Sequence, residues 1–330
     1  MKILLLTSEW PDEENPNAVP FLVQQVRFIQ EAGVEVEVFH FRGHRNLLNY
    51  LKAWKNVRHM PFWKEADILH AHWGQSAFLA IFSRKKLLIT FHGSDLWGIV
   101  NSQGKYTFEG KILSRFSRLM AKKADCCIVV SKHLKEFLPQ STKKVVTIPM
   151  GVDLNKFYLM DKLECRTKLN LENCSQIILF VSNPDRPEKR FFLAQQAYQL
   201  YKIKHPEEIV ELLVVNNVDH SQVPYYLNAG DVLILSSAYE GAPTIVKEAL
   251  ACKTPIVSFN VGDVSDRIKD IQGCYLCEEQ TVECLVKGLE VALAHGKLSE
   301  MPAASIYDLD ERKSVVKIKQ IYSELIENTL

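Results

Sequence analysis

Short apolar runs alternate with stretches of helical spacing along most of this chain. The runs Ile3–Leu6, Val34–Phe39, Ile68–His70, Leu87–Phe91, Cys127–Val130 and Val145–Ile148 read as strands buried on both faces. Between them the apolar spacing becomes i, i+4, i+7, as in Leu22, Val26 and Ile29, and Gly33 is placed to stop that helix. The pattern pauses at the turn-rich Pro149-Met-Gly-Val-Asp153 and then restarts. Strands are expected at Ile177–Val181, Val210–Val215, Val232–Leu235 and Pro255–Phe259, with helices near Lys189–Tyr201, Thr244–Cys252 and Thr281–His295. From Asp310 onward, Val315, Ile318, Tyr322 and Leu325 share one helix face that has to be covered. The pattern predicts two doubly wound, Rossmann-like βαβ domains facing across a cleft. Residues 1–152 form the first, with the helix 310–330 packed back on it, and residues 153–309 form the second.

Composition changes this little. A length of 330 residues suits two cores, and the apolar fraction of 47% is ordinary for a globular protein. No run approaches the roughly 18 apolar residues that span a bilayer. Glu9 and Asp12 follow the opening run too soon for a signal peptide. Eight cysteines without a secretory signal point to reduced thiols in the cytosol. Cys274-Tyr-Leu-Cys277, with Cys284 nearby, lacks the second ligand pair of a zinc site.

Charge does change the picture. Residues 1–150 hold 21 Lys and Arg against 13 Asp and Glu, a balance of +8; residues 151–330 hold 19 against 26, a balance of −7. The basic half suits an anionic partner such as a membrane surface or a lipid-phosphate acceptor. Its cations gather in two stretches. One has Arg45, Lys52 and Lys55 on one side of a helix and Leu47, Leu51 and Trp54 opposite, flanked by Arg42, Arg58 and Lys64. The other is Lys111, Arg115, Arg118, Lys122 and Lys123. A solvated face over a core stripe explains them equally well. No nucleic-acid module is recognisable.

The richest stretch is Glu240-Gly-Ala-Pro-Thr-Ile-Val-Lys-Glu248, between the strand ending near Ser236 and a helix beginning near Thr244. Pro243 suits the first helical position, and a helix start offers unpaired N–H groups to an anion. Two glutamates at this spacing are common in α/β proteins. The full order of strand, Glu-Gly, proline, Lys-Glu-Ala-Leu-Ala and second strand is more specific. Here the chain resembles retaining glycosyltransferases of the GT-B fold, family 4 in particular. In them an acidic pair with seven residues between precedes an Ala-x-Gly-x-Pro-Val-Val strand. The corresponding text is Glu248-Ala-Leu-Ala-Cys-Lys-Thr-Pro-Ile-Val, with Lys253 at the usual glycine.

The resemblance implies roles. Glu240 would lie by the transferred sugar, with Gly241 beside it, and Glu248 by the nucleotide ribose. The amides of Ala242, Thr244 and Ile245 at the Pro243 turn would face the diphosphate or sugar, and Val218 would meet the base. The family's Gly-Arg pair and later Lys-Gly, which clamp the diphosphate, correspond to Ser182-Asn183 and Lys189. The arginine is therefore missing, and Arg186 is expected to join Lys189, with Arg190 in reserve. The Ser-Asn-Pro-x-Arg-Pro-x-Lys form is similar to enzymes building bacterial surface polysaccharides such as teichuronic acid. His92, in Thr90-Phe-His92-Gly-Ser-Asp95, matches a family histidine that reaches the donor from the first domain. His70 and His72 also end a strand, as cleft or core polar residues; no third ligand makes them a metal site. In the first loop, Thr7 to Phe21, Ala18, Val19 and Pro20 stand where the family often has glycine, so that loop suits the acceptor.

The expected enzyme is thus a cytoplasmic, metal-independent, retaining glycosyltransferase, peripheral on the inner membrane face. It moves sugar from a nucleotide-sugar substrate, a UDP-sugar by family habit, to a glycan or lipid-linked acceptor, with no cofactor. A sugar-nucleotide epimerase on the same fold, or a nucleotide-sugar-binding protein without catalysis, stays open. A nicotinamide dehydrogenase is disfavoured because no Gly-x-Gly occurs.

Overall fold

A computed structural model describes residues 1–43, 46–101, 105–171, 175–299 and 309–327, so Arg45 of the basic stretch lies outside the described residues. The chain divides into two compact units. One is Met1–Ile99, Tyr106–Met150 and Glu311–Leu330; the other is Val100–Lys105 and Gly151–Asp310. The division therefore falls at Met150/Gly151 and Asp310/Glu311.

The first unit is a six-stranded parallel sheet: β1 (Lys2–Thr7), β2 (Glu35–His40), β3 (Ile68–His72), β4 (Lys86–Phe91), β5 (Cys126–Val129) and β6 (Val145–Thr147), ordered β2-β1-β3-β4-β5-β6. Ile3 sits in register with Val36 on one side and Ile68 on the other. Ile3 to Leu6 are fully buried, as an apolar run covered on both faces must be. The crossovers are α1 (Pro20–Glu31), α2 (Leu47–His59), α3 (Pro61–Glu65), a 3-10 helix at Ser76–Ala80, α4 (Ser94–Trp97) and α5 (Phe108–Lys123). Gly33 follows α1 at φ +82°, a left-handed position that glycine takes without a Cβ clash. The C-terminal helix Glu311–Glu327 buries Val315, Ile318, Ile321, Tyr322 and Leu325 against Ile3, Phe28, Ile29 and Ile68 of this unit.

The second unit has five parallel strands: β7 (Gln176–Val181), β8 (Val210–Val215), β9 (Val232–Leu235), β10 (Ile256–Phe259) and β11 (Tyr275–Cys277), ordered β11-β10-β9-β7-β8. Its helices are α6 (Lys162–Lys168), α7 (Phe191–Lys204), α8 (Val223–Ala229), α9 (Thr244–Ala251), α10 (Val264–Ile268) and α11 (Val282–His295). Both sheets reverse their winding beside the first strand, between β1 and β3 and between β7 and β9. Loops from such a switch point diverge and leave room for a ligand.

The short elements differ most from expectation. Cys274 leads into the edge strand β11, which Cys277 ends, and burial pushes the Cys274 thiol up to about 12. Both are free thiols. Helix α7 begins at Phe191 rather than Lys189, behind a 3-10 turn at Pro187–Lys189. Pro243 is the N-cap of α9, one residue before the first helical position.

Candidate active site

Two loops leave the second unit's switch point, residues 182–190 after β7 and 236–243 after β9, and they are stapled together. Arg190 donates from Nε to the Ser236 carbonyl and from Nη2 to that of Ser237, both at 3.0 Å. Ser236 Oγ returns a bond to the Lys189 carbonyl at 2.9 Å, and the Ala238 amide donates to the Glu188 carbonyl at 2.8 Å. Arg190 is therefore spent on backbone and is no reserve cation. On this frame Lys189 Nζ reaches Glu240 Oε1 at 2.6 Å, and Ser237 Oγ donates to the same oxygen at 2.6 Å. Arg186 points elsewhere: its side chain is 60% exposed and its Nε bonds Glu188 Oε1 at 2.6 Å.

Pro243 has no side-chain donor or acceptor with which to cap α9. Among the described residues the amides of Ala242, Thr244 and Ile245 make no backbone hydrogen bond. They form the half-buried positive end of the helix, suited to anionic oxygen. One turn on, buried Glu248 accepts from His220 Nε2 at 3.0 Å, and the His220 ring packs on Phe157 at 5.3 Å. Val218 packs on the rim of the core. Gly262, after β10, closes the site from below. At φ +62°, any Cβ there would come within 2.9 Å of the Glu240 and Gly241 carbonyls. The arrangement brings a cation from the loop after β7 to two carboxylates and unbonded amides of the β9 loop and α9, which suits a polyhydroxy ligand carrying phosphate.

The first unit carries a separate polar cluster where β3 and β4 end. Asp95 is fully buried and accepts from the amides of Gly74 at 2.9 Å, His92 at 3.2 Å and Gly93 at 2.9 Å. It fixes the turn that carries His92, while burial pushes its own pKa up to about 6 against those bonds. His92 Nε2 meets His72 Nδ1 at 3.0 Å, and its ring lies against Trp73 and Phe21. His70 is held between Tyr322 Oη at 2.7 Å and Thr90 Oγ1 at 2.8 Å. Burial pushes His70 and His92 down to about 3 and His72 well below its ordinary value, so all three rings are neutral near pH 7. Among the described residues, buried His72 Nε2 meets no hydrogen-bond partner. An orphaned N–H costs more than an orphaned lone pair. His72 therefore carries its proton on Nδ1 and donates to His92 Nε2, which leaves His92 with an Nδ1–H donor.

Known proteins share this architecture. Residues 2–156 match the family described as Glycosyltransferase Family 4, and residues 195–307 match Glycosyl transferases group 1. A putative teichuronic acid biosynthesis glycosyltransferase of Bacillus subtilis is 24% identical over 327 residues, covering 80% of this chain and 82% of its own. Sucrose-phosphate synthase from Thermosynechococcus elongatus superposes with a TM-score of 0.79 at 17% identity, over 99% of this chain and 100% of that one. Anabaena HepE, solved with UDP and glucose, gives 0.67 at 15% identity, over 98% and 99%. The chain is a group 1 glycosyltransferase of the GT-B fold.

Several side chains of this glycosyltransferase stand on left-handed backbone, the conformation that glycine takes without a Cβ clash. Val19 precedes α1 at φ +40°, Arg190 follows Lys189 at φ +47°, and Lys253 ends α9 at φ +56°. The β-branched Val19 is the most strained of these.

Several residues of the enzyme carried no signal in the sequence. His220 and Ser237 reach the glutamates only through the fold, and Gly262 lies on the neighbouring strand's loop. The basic helices also differ from expectation. Leu47, Leu48 and Leu51 do not form a core stripe; they are exposed beside Lys52 and Lys55, and α2 buries only Ala53 and Val57. On α5, Phe108, Ile112 and Leu119 share the exposed face with Lys111, Arg115, Arg118, Lys122 and Lys123. No helix among the described residues is long and apolar enough to cross a membrane.

Proposed function

We propose that this glycosyltransferase takes sugar from a UDP-sugar and retains the anomeric configuration. It passes the sugar to a glycan or lipid-linked acceptor in bacterial surface polysaccharide synthesis. The observation that carries the reading is the Lys189–Glu240–Ser237 cluster beside the open amides at Pro243, with Glu248 one helical turn away. Lys189 and the amides of Ala242, Thr244 and Ile245 stabilise the departing diphosphate; Arg186 joins them only by leaving its Glu188 partner. Glu240 orients the sugar hydroxyls, Glu248 the ribose and Val218 the base. No metal or cofactor enters this scheme, because fixed positive groups neutralise the leaving group. The departing phosphate takes the acceptor proton on the same face of the sugar. From the first unit, His92 is assigned to the transfer as an Nδ1–H donor. The B. subtilis relative supports the pathway, and the UDP-containing HepE structure supports the nucleotide.

The helical layer of α2 and α5 supports work at the inner face of an anionic membrane. Exposed large apolar side chains between exposed cations are the pattern of an interfacial helix. The test is incubation of the intact enzyme with UDP-sugars and a lipid-phosphate acceptor, with NMR of the product's anomeric coupling. Transfer with the donor's configuration is expected. Inversion contradicts retention. A second nucleotide sugar formed from donor alone identifies an epimerase instead.

A further inference from the structure

The chain between the 3-10 helix Ser76–Ala80 and β4 turns sharply at residues 80–83. The Ser83 amide bonds the Ala80 carbonyl at 2.9 Å, Ile81 sits at φ −59° and ψ 134°, and Phe82 at φ +64°. This is a type II turn, whose third position calls for glycine or asparagine. A bulky residue there is a true outlier and lowers stability. The surroundings hold it in place: Arg58 Nη2 donates to the Ile81 carbonyl at 2.7 Å, Arg58 Nη1 to that of Leu79 at 3.1 Å, and the guanidinium stacks on Trp54 and Trp63.

The Phe82 side chain returns nothing to the fold. It is 84% exposed, and the ring contact found for it is Lys123 Nζ at 6.0 Å from the centroid. It rims a cavity of about 510 Å³ that is also lined by Arg58, Trp63, Arg84 and Lys86. Arg84, Lys86, Lys122 and Lys123 have no carboxylate partner among the described residues. Strain kept at an exposed aromatic points to a use outside the chain. A lone apolar ring set among unpaired cations suits a surface that is anionic at its face and apolar just beneath, which is a bilayer rich in acidic lipid.

We propose that Phe82 is a membrane wedge: its ring enters the acyl boundary of an anionic bilayer while Arg84, Lys86 and Lys123 bind the headgroups. The turn adjoins α2 through Arg58 and Trp54 and α5 through Lys123, so the assignment rests on the membrane reading of that layer and gives it a point of insertion.

The test uses the intact enzyme, flotation with phosphatidylglycerol-containing or pure phosphatidylcholine vesicles, and thermal unfolding. Phe82→Gly should raise the Tm, because glycine fits the turn, and yet lower affinity for anionic vesicles about tenfold through loss of one buried ring. Phe82→Trp should keep binding, and its added emission should shift to the blue on anionic vesicles. Vesicle binding by Phe82→Gly equal to the parent overturns the wedge. If Arg115→Glu with Arg118→Glu abolishes that same binding, the membrane reading stands and only the wedge falls. A parent that ignores anionic vesicles removes both. A parent dimer that Phe82→Gly converts to monomer shows that the ring serves a second copy, and overturns the proposal.

Discussion

Lys189 Nζ donates to Glu240 Oε1 at 2.6 Å across the two loops at the second unit's switch point, with side chains only 16% and 12% exposed. The pair joins the loop that follows β7 to the loop that opens α9. A close pair so little hydrated leaves a costly lone charge when one partner is removed.

Lys189→Ala should therefore lower the Tm as well as turnover, because Glu240 is left as a little-hydrated carboxylate without its cation. The expected loss in kcat/KM for nucleotide-sugar turnover is about 10²-fold, the scale of one electrostatic group lost at a leaving group. Steady-state kinetics beside a Tm measurement checks it. Unchanged turnover would remove Lys189 from the site.

His220 orients Glu248 by the 3.0 Å bond and stands on Phe157. His220→Phe keeps the ring contact and deletes the bond. A hydrogen bond to a charged group is worth about 1.5–3 kcal/mol, so nucleotide affinity should fall roughly tenfold or more, as calorimetry would show. Equal affinity would mean that Glu248 needs no such support.

Stability should fall with acid. Burial holds His70 and His92 near 3, and His72 well below its ordinary value, so the unfolded chain binds more protons below about pH 6.5. Each such group removes up to about 1.4 kcal/mol per pH unit as the pH drops. Asp95, raised to about 6, runs the other way: its folded form binds the extra proton, so it offsets one group between about pH 6 and 4. Three groups against one predict a Tm that declines from about pH 7 to pH 5. His72→Asn should flatten that slope. A flat parent profile would contradict the buried neutral cluster.

The sheets were legible because each central strand is a short, nearly continuous apolar run, and Leu22, Val26 and Ile29 carry the helical period between runs. The tail face of Val315, Ile318 and Tyr322 was legible for the same reason. Glu240, Glu248 and Lys189 were visible because they sit at fixed distances from strand ends. The rest depended on contacts far apart in sequence. His220 meets Glu248 only once α8 and α9 pack, and Arg190 looks like a spare cation until its two carbonyl partners arrive. The leucines of α2 carry a core-like period, yet they face outward because Ala53 and Val57 are the side chains that α2 buries, where it packs on the 3-10 helix Ser76–Ala80 and α3. Residues such as Val19 and Lys253 hide their left-handed backbone, since that conformation is normally announced by glycine.

That concealment is testable. Val19→Gly and Lys253→Gly each remove a left-handed side chain at a cost of about 1–2 kcal/mol, partly offset by glycine's greater freedom when unfolded. Chemical denaturation should show each variant as stable as the parent or more so, by up to about 1 kcal/mol. A clear loss of stability in both would contradict the strain.

The tautomer of His92 can be read directly. Nitrogen-15 NMR should show its proton on Nδ1, held there by His72. His72→Asn, whose amide takes the place of Nδ1–H, should keep that signature and most activity. His72→Phe should lose both. A His92 proton on Nε2 in the parent would reverse the donor assignment.

The central claim is that the Lys189–Glu240–Glu248 loop-helix unit holds a nucleotide-sugar donor, and calorimetric titration of the intact chain with UDP and UDP-sugars tests it most directly. The parent should bind UDP, and Glu248→Ala should lose roughly tenfold or more of that affinity as its bond to the ribose goes. A parent that binds no nucleotide, or a Glu248→Ala variant that binds as tightly as the parent, would contradict the account.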